Sequence, residues 1–388
     1  MKISDIVTLR TESVTPVADT HYHLYSLPSF DNNQCREEVC GNQIQSNKYA
    51  VPNRCILFNK LNVRFKRVWR IDNPDPNKLC STEFLPLVVN EDIADYNFCY
   101  YLLISDYISN YLEGQNLNTS NSHKRIDPSD FFNIGISIPT KLEQEKIGRI
   151  LSTIDNKIAL NRALNHNLEA MAKQLYDYWF VQFDFPNADG KPYKSCGGKM
   201  VWNETLKREI PNGWEIIAIR DILDKVPNTQ RVETSLYEKD GDIPIIDQSR
   251  EYIVGYTNDE RTIISKIPAI VFGDHTRIVK LVNFEFARGA DGTQILYSNN
   301  DRLPIHLLYL QVMDVDLSNR GYARHFKFLK ESPIILPAKN VSQQFEEICK
   351  QHYMLISSNI KEITHLTKLR DELLPLLMNG QVSVNYDL

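Results

Sequence analysis

Residues 142–180 read LEQEKIGRILSTIDNKIALNRALNHNLEAMAKQLYDYWF, and this stretch decides the fold. Its apolar side chains recur at alternating steps of three and four positions, the heptad pattern of a long helix that packs against another helix. The seam positions are Ile147, Leu151, Ile154, Ile158, Asn161, Asn165, Leu168, Ala172, Leu175 and Trp179. At 1.5 Å per residue the helix would span roughly 60 Å, which exceeds a small domain. We therefore expect its partner to be a second long helix.

A second stretch with the same pattern lies further along the chain, from about Val341 to Met378. One constant shift takes Asn161 to Asn359, and it also takes Ile138-Pro139 before the first helix to Leu336-Pro337 before the second. The seam of the second helix is Phe345, Ile348, His352, Ile356, Asn359, Ile363, Leu366, Leu369, Leu373 and Leu376. The chain is therefore predicted to be a tandem duplication whose two helices pair antiparallel.

Both helices carry signals for their ends and their pairing. Thr140 with Glu143 forms a capping-box pattern at the first helix, and Asn340 with Gln343 offers the same at the second. Asn161 and Asn359 in the seam would fix the register of the pair, or they lie on the solvent side of a wider stripe. Three apolar residues flank the first seam and would leave surface for an outside protein; they are Leu160, Leu164 and Met171.

The repeat extends beyond the helices, because Ile3–Val7 near the start of the chain resembles Ile219–Leu223. The shift between these two segments is somewhat larger than the shift between the helices, so the second globular segment is the shorter one. Each half then consists of a globular region followed by one long helix. The predicted boundaries are a first region at 1–139, a first helix at 140–180, a connector at 181–213, a second region at 214–338, and a second helix with the C-terminal tail at 339–380.

The two globular regions are predicted to be α+β. Short β-prone runs separated by Gly, Asn, Asp and Pro are typical of strands. Residues 96–111 are predicted to be helical. The β-prone runs include Arg54–Phe58, Phe65–Trp69, Ala269–Phe272 and Ile305–Leu310.

Composition limits the class of protein. A chain of 388 residues with 42% hydrophobic and 24% charged residues is typical of a globular protein with two or three domains. It shows no apolar signal core and no run of about 18 apolar residues, so a cytoplasmic protein without a membrane span is expected. The seven cysteines lack paired CxxC spacing, which favours free thiols over a zinc site. The net charge of −5 argues against nucleic-acid binding by bulk charge alone, although local patches remain open.

The sequence lacks the motifs of common catalytic sites. It contains no GxxxxGK[ST] phosphate loop, no GxGxxG after a strand, no HExxH, no GxSxG and no methyltransferase signature. Glu238-Lys239 beside Asp240 is a short nuclease-like match in a loop-like context, and chance explains it better than a site. An enzyme is therefore disfavoured.

The chain resembles the specificity subunits of type I restriction-modification enzymes over essentially its whole length. Two specific motifs, joined by the long helix, carry the resemblance: Ile138-Pro139 followed by Leu142-Glu143-Gln144, and Trp179-Phe180-Val181-Gln182-Phe183-Asp184. The second helix matches less well, because Ser342-Gln343-Gln344-Phe345 replaces an acidic start.

The resemblance implies a non-catalytic DNA reader with two target recognition domains, each contacting one half of a split site in double-stranded DNA. The paired helices would act as a spacer between them and would hold two methyltransferase subunits. Restriction subunits would join this core. S-adenosylmethionine, ATP and Mg would then belong to the partner subunits, with no cofactor or metal in this chain. A structural coiled-coil adaptor with protein-binding globular ends is the alternative.

Candidate DNA-contacting residues of the first region begin with a basic cluster. Lys60, Arg64, Lys66, Arg67 and Arg70 place five cations in one short segment. A strand through this segment would show Arg64 and Lys66 on one face, either to DNA or to solvent.

Two polar loops stand where the resemblance implies a recognition loop, with a plain surface turn as the alternative. Arg and Asn side chains in such loops can make bidentate contacts to guanine and adenine. Their residues are Ser120, Asn121, Ser122, His123, Lys124 and Arg125 in the first region, and Arg320, Gly321, Tyr322, Arg324 and His325 in the second. Further candidates in the second region are Asp274, His275, Thr276, Arg277 and Arg288.

Overall fold

The computed structural model describes residues 1–32, 34–115, 124–318, 321 and 324–384, without the side chain of Gln115. The chain folds into two compact units, one formed by Met1–Ala159 with Thr364–Leu388 and the other by Leu160–Ile363. Each unit contains one globular region and a part of each long helix. Among the described helices, none combines the length and the hydropathy that crossing a bilayer requires.

The first region is a strand-rich body with short helices. Its strands are β1 (Val7–Leu9), β2 (Ser13–Val14), β3 (His21–Tyr25), β4 (Glu37–Cys40), β5 (Lys48–Ala50), β6 (Arg54–Asn59), β7 (Val68–Asp72), β8 (Lys78–Cys80) and β9 (Phe84–Val89). Its helices are α1 (Ile3–Ile6), α2 (Leu27–Asp31), α3 (Tyr96–Ile104), α4 (Asp106–Gln115) and α5 (Pro128–Phe132).

One sheet of the first region, in the order β1-β9-β6-β7, supports the helices α3 and α5. Its buried face contributes Ile56, Phe58 and Leu87 to a core that also contains Tyr101 and Phe131. A second sheet, in the order β2-β5-β8-β3-β4, lies in the same region. Successive side chains of a strand point to opposite faces of its sheet, so one face of each strand can pack into such a core.

The long helices and the second region follow. The helices are α6 (Lys141–Tyr176), which continues into a π-helical turn at Asp177–Val181, α7 (Ile305–Asp314), α8 (His325–Glu331) and α9 (Lys339–Met378). The strands are β10 (Met200–Asn203), β11 (Arg208–Pro211), β12 (Glu215–Ala218), β13 (Ile243–Ile246), β14 (Gly255–Thr257), β15 (Ile263–Ile264), β16 (Ala269–Gly273), β17 (Val279–Val282), β18 (Phe286–Arg288), β19 (Thr293–Leu296) and β20 (Pro333–Leu336).

The duplication predicted from the sequence is visible in strand pairing. In the first region β6 pairs antiparallel with both β7 and β9, and in the second region β16 pairs antiparallel with both β17 and β19. Lys2 bridges Gly135 in the first region, and Ala218 pairs with Pro333 in the second. The larger of the two sequence shifts relates Lys2 to Ala218, and the smaller one relates Gly135 to Pro333. Each region therefore contains a sheet with the same arrangement of three antiparallel strands, and the α+β class is confirmed.

In the first unit, the start of α6 packs against the end of α9. Ile147 and Leu377 lie in one core, and Asp155 accepts hydrogen bonds from Arg370 (3.0 Å) and from the hydroxyl of Tyr101 (2.6 Å). The two helical segments therefore run antiparallel. At the start of α6, the amide of Thr140 donates to Glu143 (3.0 Å), which confirms the capping box.

In the second unit, the end of α6 packs against the start of α9, again antiparallel. The Asn161 amide, 1% exposed, donates to Glu362 (2.7 Å), and Asn359 donates to Asn165 (2.8 Å). Both seam asparagines thus bond across the helix pair and do not lie on its solvent side. Trp179 and Phe345 close the same core.

The seam of α9 differs from the prediction near its start. Ile348, placed in the helix pairing, is 39% exposed, whereas Cys349 and Tyr353 are buried. The physical reason is that Tyr353 packs on His306 and Tyr309 of α7, so α9 turns this row toward the second region. The prediction that Asn340 caps α9 is also wrong, because the helix already begins at Lys339.

Residues Ile305–Leu310, predicted as a β-prone run, form the first part of α7. A short apolar run that is buried on all sides has no period that separates strand from helix. The predicted helix at 96–111 is confirmed as α3 and α4, which are separated at Ser105. The connector, predicted as non-periodic, contains the β10–β11 hairpin.

Candidate nucleic-acid interface

The loop between β6 and β7 (residues 60–67, the first tip) carries the basic cluster of the first region. The sequence suggested a strand here, but Val63–Phe65 forms a 3-10 turn and β7 starts only at Val68. Asn62 and Lys66 adopt left-handed backbone angles on either side of this turn. The alternating display of Arg64 and Lys66 is therefore wrong, because two left-handed residues close a tight turn and end the strand period.

Acidic residues of the same unit hold part of this cluster. Arg67 makes a two-point contact with Asp31 at 2.7 and 2.8 Å, and Lys66 pairs with Asp106 at 2.5 Å. Among the described residues, Lys60 and Arg64 have no acidic partner within salt-bridge distance. These two cations of the first tip are available to phosphates, whereas Arg70 lies in β7 and donates to the Asn97 side chain (2.8 Å).

The polar loop of the first region reaches the first tip at its described end. The backbone amide of Asn62 donates to the carbonyl of Lys124 (2.8 Å), and Leu61 bridges Arg125. Arg125 makes a two-point contact with Glu83 at 2.7 and 3.0 Å. The candidates Ser120, Asn121, Ser122 and His123 lie outside the described residues, as do Arg320 and Tyr322 of the second region.

The loop between β16 and β17 (residues 274–278, the second tip) occupies the equivalent place in the second region. Thr276 and Arg277 are exposed, and Arg277 again has a left-handed backbone. The hydroxyl of Thr276 donates to the carbonyl of Gln248 (2.6 Å), and the amide of His275 donates to the Gln248 side chain (3.1 Å). Gln248 therefore orders this tip.

Two candidates of the second region are interior residues. Asp274 is 4% exposed and His325 is 3% exposed, so direct DNA contact by these side chains is contradicted. The Asp274 carboxylate accepts from the amide of Phe326 (2.8 Å), and its carbonyl accepts from the amide of His325 (2.8 Å). Asp274 thus provides hydrogen-bond acceptors for the first free amides of α8, and it connects the second tip to the loop that precedes α8. Gly321 and Arg324 of that loop are exposed.

Arg288 lies half-buried beside a second arginine that sequence reasoning missed. Burial lowers the pKa of the Arg288 guanidinium, and the charge of Arg231 lowers it further. Arg231 is paired with Asp291 at 2.9 Å. Asp291 therefore already neutralises one of the two guanidinium charges. The long separation of these arginines along the chain hides the pair from a search of the sequence.

Lys280 is a second residue that the sequence did not single out. It is buried, and its ammonium group donates to the carbonyls of Asp247 (2.9 Å) and Glu251. Loss of solvent lowers the pKa of Lys280 to about 8. These bonds fix the segment that carries Gln248, so Lys280 supports the second tip from inside.

The helices of the second unit present apolar surface. Four apolar residues of α6 and the turn that follows it are exposed: Leu160, Leu164, Met171 and Tyr178. Successive members of this series are separated by roughly one or two helical turns, so they lie along one line of the helix. An open groove of about 900 Å³ lies beside this line, between α6 and the exposed Ile348 of α9. Exposed apolar side chains of this kind make this side of α6 a candidate protein-binding face.

Comparison with known proteins gives a consistent result. A family model described as the type I restriction modification DNA specificity domain matches residues 1–170 and 211–368. The chain is 25% identical over 334 residues to the type I restriction enzyme MjaIX specificity subunit of Methanocaldococcus jannaschii, covering 79% of this chain and 74% of the relative.

The type I restriction enzyme HindI specificity subunit of Haemophilus influenzae is 25% identical over 407 residues, covering 86% of this chain and 88% of the relative. The crystal structure of a type I restriction-modification S subunit from M. genitalium has a similar fold, with a TM-score of 0.60 at 15% identity. That likeness covers 100% of this chain and 96% of the other.

Proposed function

Because the chain belongs to the family of type I restriction modification DNA specificity domains, we propose that it is the DNA-recognition subunit of a type I restriction-modification complex. Each globular region reads one half of a bipartite site. The observation that carries the proposal is the repeated hairpin: the first and second tips occupy equivalent places and both expose basic side chains.

The chain itself acts as a reader and not as a catalyst. Adenine methylation with S-adenosylmethionine, and ATP- and Mg-dependent cleavage and translocation, belong to methyltransferase and restriction subunits. The net charge of −5 is consistent with this division, since partner subunits then supply part of the grip on phosphates. A DNA-reading complex of this kind works in the cytoplasm.

The long helices have two roles in this proposal. At 1.5 Å per residue, the 36 residues of α6 and the 40 residues of α9 correspond to roughly 54 and 60 Å. Either length exceeds one DNA turn of about 34–36 Å, so the helices can set the gap between two half-sites on successive turns. Their exposed apolar line, with Leu164 and Met171, is the surface that we assign to a methyltransferase subunit.

The test uses the chain assembled with its methyltransferase subunit. Footprinting on its DNA target should show two protected segments, and Arg64→Ala should weaken contacts in one segment while Arg277→Ala weakens them in the other. A single protected segment, or equal effects of both variants on both segments, would contradict the assignment of one half-site to each globular region.

The alternative of a structural adaptor is disfavoured by the family match across both halves. It makes a distinct prediction, because an adaptor with protein-binding ends would tolerate both arginine substitutions without any change in DNA binding. The footprint therefore separates the two functions.

A further inference from the structure

The first tip presents an aromatic ring to solvent in the middle of its basic cluster. Phe65 is 52% exposed, although its neighbour Val63 is buried and anchors the turn. The guanidinium carbons of Arg64 and Arg67 lie 4.7 and 4.8 Å from the centre of the Phe65 ring. Phe65 belongs to none of the hydrophobic clusters of the described residues, and two cations lie over its exposed ring.

The turn that carries Phe65 is ordered by its backbone. The amide of Phe65 donates to the carbonyl of Asn62 (3.1 Å), and the amide of Lys66 donates to the carbonyl of Val63 (3.0 Å). Asn62 and Lys66 hold left-handed angles of φ 52° and 45°. Such angles are unfavourable for side chains other than Gly and gather at ligand-binding sites. The turn thus holds an apolar side chain outward in a fixed position.

The two arginines differ in their freedom to move. Arg67 is committed to Asp31 through two hydrogen bonds, so it supports the ring from the protein side. Among the described residues, Arg64 has no acidic partner, and it can leave the ring for a phosphate. Lys60 and Lys124 add positive charge around the same turn. This charge favours a polyanion and disfavours an apolar protein surface as the ligand.

We propose that Phe65 is an aromatic wedge that inserts at a base step of the half-site read by the first region. Proteins that bend DNA use Phe, Leu and Met in this way, unstacking one step while cations hold the flanking phosphates. Arg64 binds such a phosphate, and Phe65 makes the half-site depend on how easily that base step unstacks. The inference rests on the proposed DNA-reading function and assigns to this residue a specificity role within it.

The experiment uses the complex of this chain with its methyltransferase subunit and duplexes that carry 2-aminopurine at successive positions of the first half-site. Wild type should raise the fluorescence at the wedge position, because an unstacked base is no longer quenched; a separate rise at the adenine that the methyltransferase subunit flips is expected in every variant. Phe65→Ala should abolish the rise at the wedge position and lower the affinity by roughly 5-fold to 150-fold, the range for loss of one base–aromatic stack. Phe65→Trp should keep both properties.

Matched controls separate this role from general effects. Trp202, 58% exposed on β10, is an exposed aromatic residue of the connector, and Trp202→Ala should leave both readings unchanged. Arg64→Ala should lower the dependence of log K on log salt by about 1, whereas Phe65→Ala should not change that slope.

Three outcomes would overturn the inference. The first is binding by Phe65→Ala within twofold of wild type with the fluorescence rise at the wedge position retained, since that result shows that the ring touches no base. The second is weaker binding of the methyltransferase subunit by Phe65→Ala, with normal DNA binding by the complex once it is assembled, since that result would make Phe65 a protein contact. The third is absence of sequence-specific binding by the wild-type complex, which would remove the proposed function as well. This outcome is seen with the wild-type complex alone, so it is distinguishable from the other two.

Discussion

Substitution of Asp274 tests whether this residue supports the second tip or reads a base. The structure gives it an internal role, with 4% exposure and a 2.8 Å bond from the amide of Phe326. Asp274→Ala removes that bond, and loss of a side-chain acceptor for the amides of a helix start costs about 1–2 kcal/mol. If the ordered, DNA-binding conformation of the second tip is destabilised by this whole free energy, the DNA affinity falls by a factor of about 5–30.

Asp274→Asn keeps an acceptor oxygen and should stay within about threefold of wild type, since Asn and Asp serve almost equally as helix caps. The assay is competition binding by the complex against duplexes with each base pair of the second half-site replaced. Both variants should keep the wild-type order of preference among these duplexes. Asp189→Ala, which removes an exposed carboxylate of the connector, is the control and should bind as wild type.

A changed base preference in Asp274→Asn would refute the internal role, because a carboxylate that accepts from a cytosine amino group is altered by conversion to an amide. Unchanged affinity of Asp274→Ala would refute the magnitude, since the second tip would then be ordered without this bond.

The basic tips, the exposed line of α6 and the buried Lys280 each allow a further test. Arg64→Ala and Arg277→Ala should each reduce the salt slope of DNA binding by about 1, and titrations at several salt concentrations with single half-site duplexes would show whether each affects its own half. Leu164→Asp with Met171→Asp should weaken binding of the methyltransferase subunit by at least about 30-fold in calorimetry, because both lie on the exposed line of α6, whereas Val17→Asp, also exposed but in the first region, should have no effect. The pKa of Lys280 is lowered to about 8 in the folded state against about 10.4 in the unfolded chain, so the unfolded state holds more protons between these values and the second region gains stability as pH rises through this window. Melting temperatures between pH 7 and about pH 10 should show this gain in wild type and not in Lys280→Met.

The features with a long period could be predicted from the sequence. The heptad pattern predicted α6 and α9 to within a few positions, and the constant shift between their seams predicted the duplication. These predictions succeeded because a pattern repeated over many turns averages out single exceptions. Ile348 is such an exception, displaced by the packing of Tyr353 on α7.

Short segments were predicted less well, because tertiary contacts decide them. Ile305–Leu310 is buried on most sides, so its sequence shows no period that separates a helix from a strand. Arg64–Arg67 leaves the strand because two left-handed residues turn the chain. The candidate site shows the same limit. Residue type suggested DNA contact for Asp274 and His325, but only the fold shows that both side chains are buried and that Asp274 accepts from the amides at the start of α8. The pair Arg231 and Arg288 is formed by segments far apart in the sequence.

The most direct test of the central claim is methylome sequencing of cells that carry the methyltransferase subunit with and without this chain. We predict methylated adenine in a motif of two specific parts separated by a fixed gap, and complete loss of that motif when this chain is deleted. Exchange of the first tip for that of a relative should change one part of the motif and leave the other part and the gap intact. The same motif in cells that lack this chain would contradict the assignment of DNA recognition to it.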